Sequence, residues 1–226
     1  MTIVTPRPAA TVVVAREIPG DPGFEFLMVR RNDRVAFMAG AYVFPGGRVD
    51  EHDTADADGN ELRAFRLAAA RELLEEASVR IDADDLVLFA HWITPEVETR
   101  RYDTRFFLTR MPPGEEAKHD ASETTEFAWL TPGAAIERCL RDEIMLPPPT
   151  WTTLKQLQAH RTIDELFSWA RSVTHIPAIQ PRLHKHPEQT MLTLPGDPTY
   201  PAVEGWEVPA ETRFLLQDGR WRPIEP

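Results

Sequence analysis

Apolar residues fall along this chain in short blocks whose period changes between strand-like and helix-like. Residues 10–15, with three consecutive valines, and residues 24–29 are apolar runs that predict two strands, and the turn-forming Pro19-Gly20-Asp21-Pro22-Gly23 separates them. Residues 41–44 predict a short strand running into Gly46-Gly47. Residues 50–60 are polar with no apolar pattern, which predicts a surface loop. Leu62, Phe65, Ala69 and Leu73 then recur at helical spacing, and Asp58 followed by Glu61 resembles a capping box. Together they predict a helix from near Gly59 or Asn60 to about Ala77.

Residues 85–92, 102–109 and 126–130 read as further strands. Thr131-Pro132 predicts the cap of a helix reaching about Glu143, with proline in its first turn. Pro147-Pro148-Pro149 predicts a stiff extended turn, followed by helices over 151–160 and 162–173, the second opened by Thr162 and Glu165. Residues 177–209 carry several prolines and little periodicity, and residues 212–217 and 220–224 flank Asp218-Gly219 as a terminal hairpin. Periodicity alone supports an α/β or α+β class with a mixed sheet.

Composition narrows the function classes. A chain of 226 residues can bury one sizeable core, and it holds no apolar run near the ~20 residues a bilayer span needs. Neither a secretory pattern at the amino end nor a Ser-Lys-Leu address at the carboxyl end is present, so the expected compartment is the cytoplasm. The single cysteine, Cys139, suits a reducing compartment and a structural role. With 25 basic and 36 acidic residues the net charge is −11, which disfavours nucleic acid as a partner. His175, His184 and His186 match no zinc spacing.

One stretch carries candidate chemistry. Glu72, Glu75 and Glu76 stand at i, i+3 and i+4, so a helix at roughly 100° per residue projects them within one arc. Each like-charged pair costs roughly 0.2–0.5 kcal/mol, and Arg71 offers relief at helical spacing to Glu75. Glu76 falls within the angular range of the apolar stripe, where an acid is costly unless it is paired or binds a metal. Hard oxygen ligands of this kind suit Mg²⁺ or Mn²⁺. By itself, such a triplet is more often a solvated acidic face.

Phe44-Pro45-Gly46-Gly47 followed by Arg71-Glu72-Leu73-Leu74-Glu75-Glu76 resembles the signature of the Nudix hydrolases, G-x5-E-x7-R-E-U-x-E-E-x-G-U with U aliphatic. Counting from Gly47, the first acidic position is Asp53, and seventeen residues rather than seven precede Arg71. The box is thus interrupted by ten residues, and Ser78 replaces its last glycine. A lengthened box, with Trp92-Ile93-Thr94-Pro95, the run from Arg101 to Phe107 and Leu146-Pro147-Pro148-Pro149-Thr150, is similar to the coenzyme A diphosphatase (nudix motif 19-like) branch.

That resemblance implies a Nudix fold, a mixed sheet sandwiched between helices, over residues 8–146, with residues 147–226 as a helical, proline-rich extension packed on it. It implies a hydrolase that cleaves a nucleoside diphosphate derivative, with coenzyme A or acyl-coenzyme A leading. ADP-ribose, NADH or a nucleotide sugar is the alternative substrate, and a non-catalytic binding module the alternative class. The implied metal ligands are Glu72, Glu75, Glu76 and the Gly47 carbonyl, with Mg²⁺ or Mn²⁺ as cofactor. Glu72 or Glu76 is the implied proton acceptor, with Glu123 and Glu126 as alternatives, and Arg71 orients the acids. Arg48, Arg101 and Arg105 are candidates to meet phosphates. The expected partner is a small molecule, without nucleic acid or membrane, and a homodimer is a candidate assembly.

Overall fold

A computed structural model describes residues 3–32, 40–118 and 124–224. Strand β1 (Arg7–Glu17) organises the main sheet, because its apolar run faces two cores at once. Val13 and Ala15 enter one apolar cluster, while Ala10, Val12 and Val14 enter the other. A strand buried on both faces needs no polar alternation, which is why three valines follow one another. β2 (Phe24–Arg31), β3 (Tyr42–Val43), β4 (Gly46–Arg48), β5 (Val87–Ile93), β6 (Tyr102–Arg110), β7 (Thr124–Leu130) and β8 (Ala178–Ile179) complete the sheet. Its order is β3-β2-β1-β6-β5-β8, with β4 on β1 and β7 on β2. The β1–β6 and β5–β8 pairs are parallel and the others antiparallel, so the sheet is mixed as expected.

Helices α1 (Glu51–Ala55), α2 (Glu61–Ala77), α3 (Pro132–Leu140), α4 (Pro148–Leu157) and α5 (Ile163–Ser172) surround the sheet. Phe65, Ala68, Ala69 and Leu73 of α2 pack on the face that carries Ala10 and Phe107. Ile136, Trp151, Leu154 and Leu166 of the later helices pack on the opposite face with Val13 and Phe26. In sequence order α1 and α2 therefore precede the helices of the other layer.

Several local expectations are corrected. Residues 50–60 are not a loop without structure, because α1 forms there, with Asp53 only 5% exposed and Ala57 only 1%. A polar segment can bury an acid when a cation neutralises it, and Arg71 does so. The capping box from Asp58 is replaced by Asn60, whose side chain accepts the Arg63 amide at 3.1 Å, while Asp58 takes a left-handed φ of 51° in the preceding turn. Pro148 and Pro149 begin α4 rather than forming an extended turn, since the first helical turn needs no amide donors. The Thr162 cap on Glu165 is present at 3.2 Å.

The segment after residue 177 holds more strand than its prolines suggest. β9 (Arg182–Lys185), β10 (Thr190–Thr193), β11 (Arg213–Gln217) and β12 (Arg220–Ile224) form an antiparallel sheet of order β12-β11-β10-β9, in which the expected hairpin is β11–β12. Leu192, Leu194 and Phe214 belong to the same apolar cluster as Val13 and Phe26. Among the described residues, no helix is long and apolar enough to cross a membrane.

Candidate active site

Strand β4 is three residues long, and each of them meets the acidic segment of α2. The Gly46 amide donates to Glu76 Oε2 at 3.0 Å. Gly47 lies so close to Glu72 that a Cβ there would overlap the Glu72 carboxylate. The Arg48 carbonyl accepts from Arg71 Nη2 at 2.8 Å. Only a residue without a side chain allows this approach at Gly47. β4 is held in place by pairing with β1, Ala10 opposite Gly47, and α2 is held by its apolar face on the same strand.

Arg71 is the hub. Its Nη1 donates to Glu72 Oε1 at 2.8 Å and Glu75 Oε2 at 3.1 Å, and its Nη2 donates to Asp53 Oδ2 at 3.0 Å. Its Nε reaches Asp53 Oδ1 at 3.3 Å, so Asp53 is gripped by two guanidinium nitrogens. Asp53 Oδ2 also accepts the Asp50 amide at 2.9 Å, which fixes the start of α1. Burial by itself favours a neutral Arg71, but Asp53 and Glu72 outweigh it and hold the guanidinium charged far beyond its ordinary range. Four acids, Asp50 at 3.9 Å, Asp53, Glu72 and Glu75, thus share one cation, and Glu76 stands on the same helix beside them.

The expected convergence of three carboxylates on one point is distributed instead. Among the described residues, no three acidic, histidine or cysteine side chains are gathered as a ready metal cage. Glu72 is 13% exposed and rests between Arg71 and Gly47, Glu76 turns to the Gly46 amide, and Glu75, 57% exposed, lies along Arg71. The donors are all hard oxygens, the ligand type such cations take. The chemistry of the set therefore fits Mg²⁺ or Mn²⁺.

The predicted arginines separate. Arg48 is exposed and adjoins the glycines. Arg101 is only 5% exposed, and its guanidinium donates to the carbonyls of Val4 at 2.7 Å and Thr94 at 3.1 Å, tying the amino end to the β5–β6 connection. Arg105 lies two strands from Gly47 in the same cross-sheet row, roughly 10 Å away at about 4.8 Å per strand. It donates to Asp103 at 2.6 Å and covers the Phe65 ring, while His91 bonds the same Asp103 oxygen at 2.6 Å. Glu123 lies outside the described residues, and Glu126 pairs with Tyr42 on β3, away from the glycines. The residue whose part was not legible is Asp53, because eighteen positions separate it from Arg71 and no helical spacing links them.

A family model described as the NUDIX domain matches residues 5–147. A Caenorhabditis elegans protein named putative nudix hydrolase 7 is 27% identical over 70% of this chain, and this chain spans 62% of that relative's length. A Xenopus laevis protein named acyl-coenzyme A diphosphatase NUDT19 is 32% identical, covering 79% of this chain and 72% of the relative. Among solved structures, a NUDIX hydrolase from Alicyclobacillus acidocaldarius superposes with a TM-score of 0.66 at 24% identity, covering 74% of this chain and 97% of that one. With the box helix clasped on its glycine strand and the family model spanning most of the main sheet, the chain belongs to the NUDIX family.

Proposed function

We propose that the protein is a metal-dependent diphosphatase that hydrolyses coenzyme A or acyl-coenzyme A to the phosphopantetheine arm and adenosine 3′,5′-bisphosphate. The observation that carries this reading is the clasp itself, in which Gly46, Gly47 and Arg48 engage Glu76, Glu72 and Arg71 in turn. It presents several carboxylates and backbone groups at one turn, the arrangement a diphosphate–metal complex needs. The choice of coenzyme A rests on the Xenopus relative, whose name is acyl-coenzyme A diphosphatase.

In this reading Glu72, Glu75, Glu76 and the Gly47 carbonyl would hold Mg²⁺ or Mn²⁺. When bound, such an ion neutralises phosphate charge and makes a coordinated water more acidic. Water attacks one phosphorus, the bridging P–O bond breaks, and Glu72 or Glu76 accepts the proton the water loses. Arg71 keeps Glu72 in place through Nη1 while its other nitrogens are anchored on Asp53 and Arg48. That anchoring makes Arg71 and Asp53 positioning residues. Arg48, exposed beside the glycines, meets a phosphate oxygen.

The decisive measurement is a turnover panel with Mg²⁺ or Mn²⁺ spanning coenzyme A, an acyl-coenzyme A, ADP-ribose, NADH and a nucleotide sugar, read by product mass. Coenzyme A compounds should be cleaved fastest, with loss of turnover on chelation. Preference for ADP-ribose or NADH would overturn the substrate, and no turnover of any compound would overturn catalysis.

A further inference from the structure

The acids of the box stand at the unfavourable end of their helix. Residues 74–77, the last turn of α2, carry Glu75 and Glu76 and no basic residue. Aligned peptide dipoles place a partial negative charge at that end, so the dipole and the two carboxylates repel one another there. Arg71 answers Glu75 from one turn earlier, at 3.1 Å. A helix also leaves its last carbonyls without donors from its own backbone, and terminal turns open first. Ser78 then takes the chain out of the helix in a left-handed conformation, φ 56°. The turn that must hold its acids still is the one that local forces hold least.

What holds it comes from the β6–β7 connection. The Lys118 amide donates to the Ala77 carbonyl at 2.8 Å, and the Arg80 amide donates to Glu115 Oε2 at 3.0 Å. These bonds pair 77 with 118 and 80 with 115, so residues 115–118 run antiparallel to the exit of α2. Ala117 packs against the apolar cluster that holds Leu73, Ala77 and Val79. Ala77 directly follows Glu76, whose Oε2 accepts the Gly46 amide.

The connection is itself fixed. The Met111 amide donates to the Ala15 carbonyl at 2.8 Å, which prolongs the β1–β6 pairing. The Glu115 amide then closes a turn on the Pro112 carbonyl at 3.3 Å, with Pro113 and Gly114 at its centre. Gly114 has φ 83°, as the third position of a type II turn requires, and proline suits the second. A stiff turn anchored on the sheet therefore delivers Glu115 and Lys118 to the helix with little freedom left to lose.

We infer that residues 115–118 are a positioning brace for the box: the Lys118 amide and the Glu115 carboxylate keep residues 74–77 helical, and so keep Glu75 and Glu76 in place. This deepens the reading above and rests on it for what the acids do. Lys118 acts through its main chain, so its N–H is required and its side chain is not.

The test uses two pairs of variants of the full chain. Lys118→Pro removes the amide donor and Lys118→Ala keeps it; Glu115→Ala removes the acceptor and Glu115→Gln keeps one. Hydrogen exchange of the metal-free protein is followed over residues 70–79 and over β1. Lys118→Pro and Glu115→Ala should each speed exchange at the helix end by about 5- to 10-fold, the equivalent of one lost hydrogen bond, with β1 unchanged and the conservative variants close to wild type. With Mg²⁺ and the panel compound cleaved fastest, kcat of the two disruptive variants should fall between about 2- and 10-fold, KM should stay within about twofold, and the conservative variants should restore kcat. Unchanged exchange over 70–79, equal acceleration in β1, or unchanged kcat with a loosened helix end overturns the brace. So does equal loss in Lys118→Ala and Lys118→Pro. Should Lys118→Pro fail to fold, the Glu115 pair decides. If the exchange results hold and no compound is turned over, the brace on the helix stands and the catalytic reading falls.

Discussion

Two buried aspartates sit under arginines in this molecule, Asp53 under Arg71 in the box and Asp197 under Arg213 in the C-terminal sheet, and their pairings look alike. Arg71 grips Asp53 through Nε and Nη2 at 3.3 and 3.0 Å, and Arg213 grips Asp197 through Nε and Nη2, both at 3.0 Å. They differ in what else each arginine and acid touches. Asp197 has its oxygens filled by Arg213 and by the Thr199 amide and hydroxyl at 2.8 and 2.6 Å, so that network fastens a loop to a strand. Arg71 passes its remaining donors to Glu72, Glu75 and the Arg48 carbonyl, so the Asp53 pair aims a cluster of acids. An ion pair's geometry does not reveal its role. The further contacts of the cation do.

The comparison breaks most sharply at Glu76. Glu76→Gln removes a proposed ligand and relieves like-charge repulsion, so turnover should fall roughly 10³-fold while the thermal midpoint holds or rises. Near-normal kcat in the variant would remove Glu76 from the chemistry.

Gly47→Ala sharpens the same side. The new methyl would push the Glu72 carboxylate away, and that group is the end of a flexible side chain, so the fold should yield cheaply. Activity should drop on the order of 10²-fold, as expected for a misplaced reacting group, with a small stability loss. Loss of folding with no separate effect on activity would contradict the clasp.

Arg213→Ala tests the fastener. It should cost roughly 2–3 kcal/mol in urea unfolding by leaving a buried carboxylate without its cation, and leave kcat for the cleaved substrate unchanged. The pair also sets an acid limit. Burial alone would raise the Asp197 carboxyl, but Arg213 and Thr199 outweigh it and bring it down to about 2 from the ordinary 3.8. Because the folded value is depressed, this stabilisation is complete above pH ~4 and disappears as pH falls toward 2. In Arg213→Ala that acid limb should be much flatter.

The smallest effect is expected at Ser78, the left-handed cap of α2 with φ 56°, where the signature has glycine. Ser78→Gly should stabilise the protein by about 1 kcal/mol with no change in kcat. Destabilisation there would mean that the serine side chain carries a contact that outweighs the backbone cost.

Legibility followed sequence distance. Strands β1, β2, β3, β5, β6 and β7 of the main sheet, the helix at 61–77 and the acids on it were readable because each depends on spacing within a few residues, whereas β4 reads as a turn and β8 falls among prolines. The Phe44-Pro45-Gly46-Gly47 turn was readable as a partner for that helix through family resemblance, and Gly46, Gly47 and Arg48 do meet it. Residues 50–60 were misread, since the helix there depends on Asp53 reaching Arg71 across eighteen positions. β9 and β10 were missed for a related reason: their pairing is antiparallel between segments that prolines and turns separate, and little periodicity marks them.

What the amino-acid order determined by itself was the set of local periods: a central strand apolar on both faces, a helix carrying Glu72, Glu75 and Glu76 along one arc, and glycines ahead of it. Only the tertiary structure decided where those acids point, because Asp53 and β4 come from other parts of the chain and it is their approach to Arg71 and Glu76 that divides the carboxylates. It likewise decided that residues 115–118 meet the end of α2. Side-chain direction in a charged cluster is set by partners brought together through packing of apolar faces, and spacing along one helix cannot specify it.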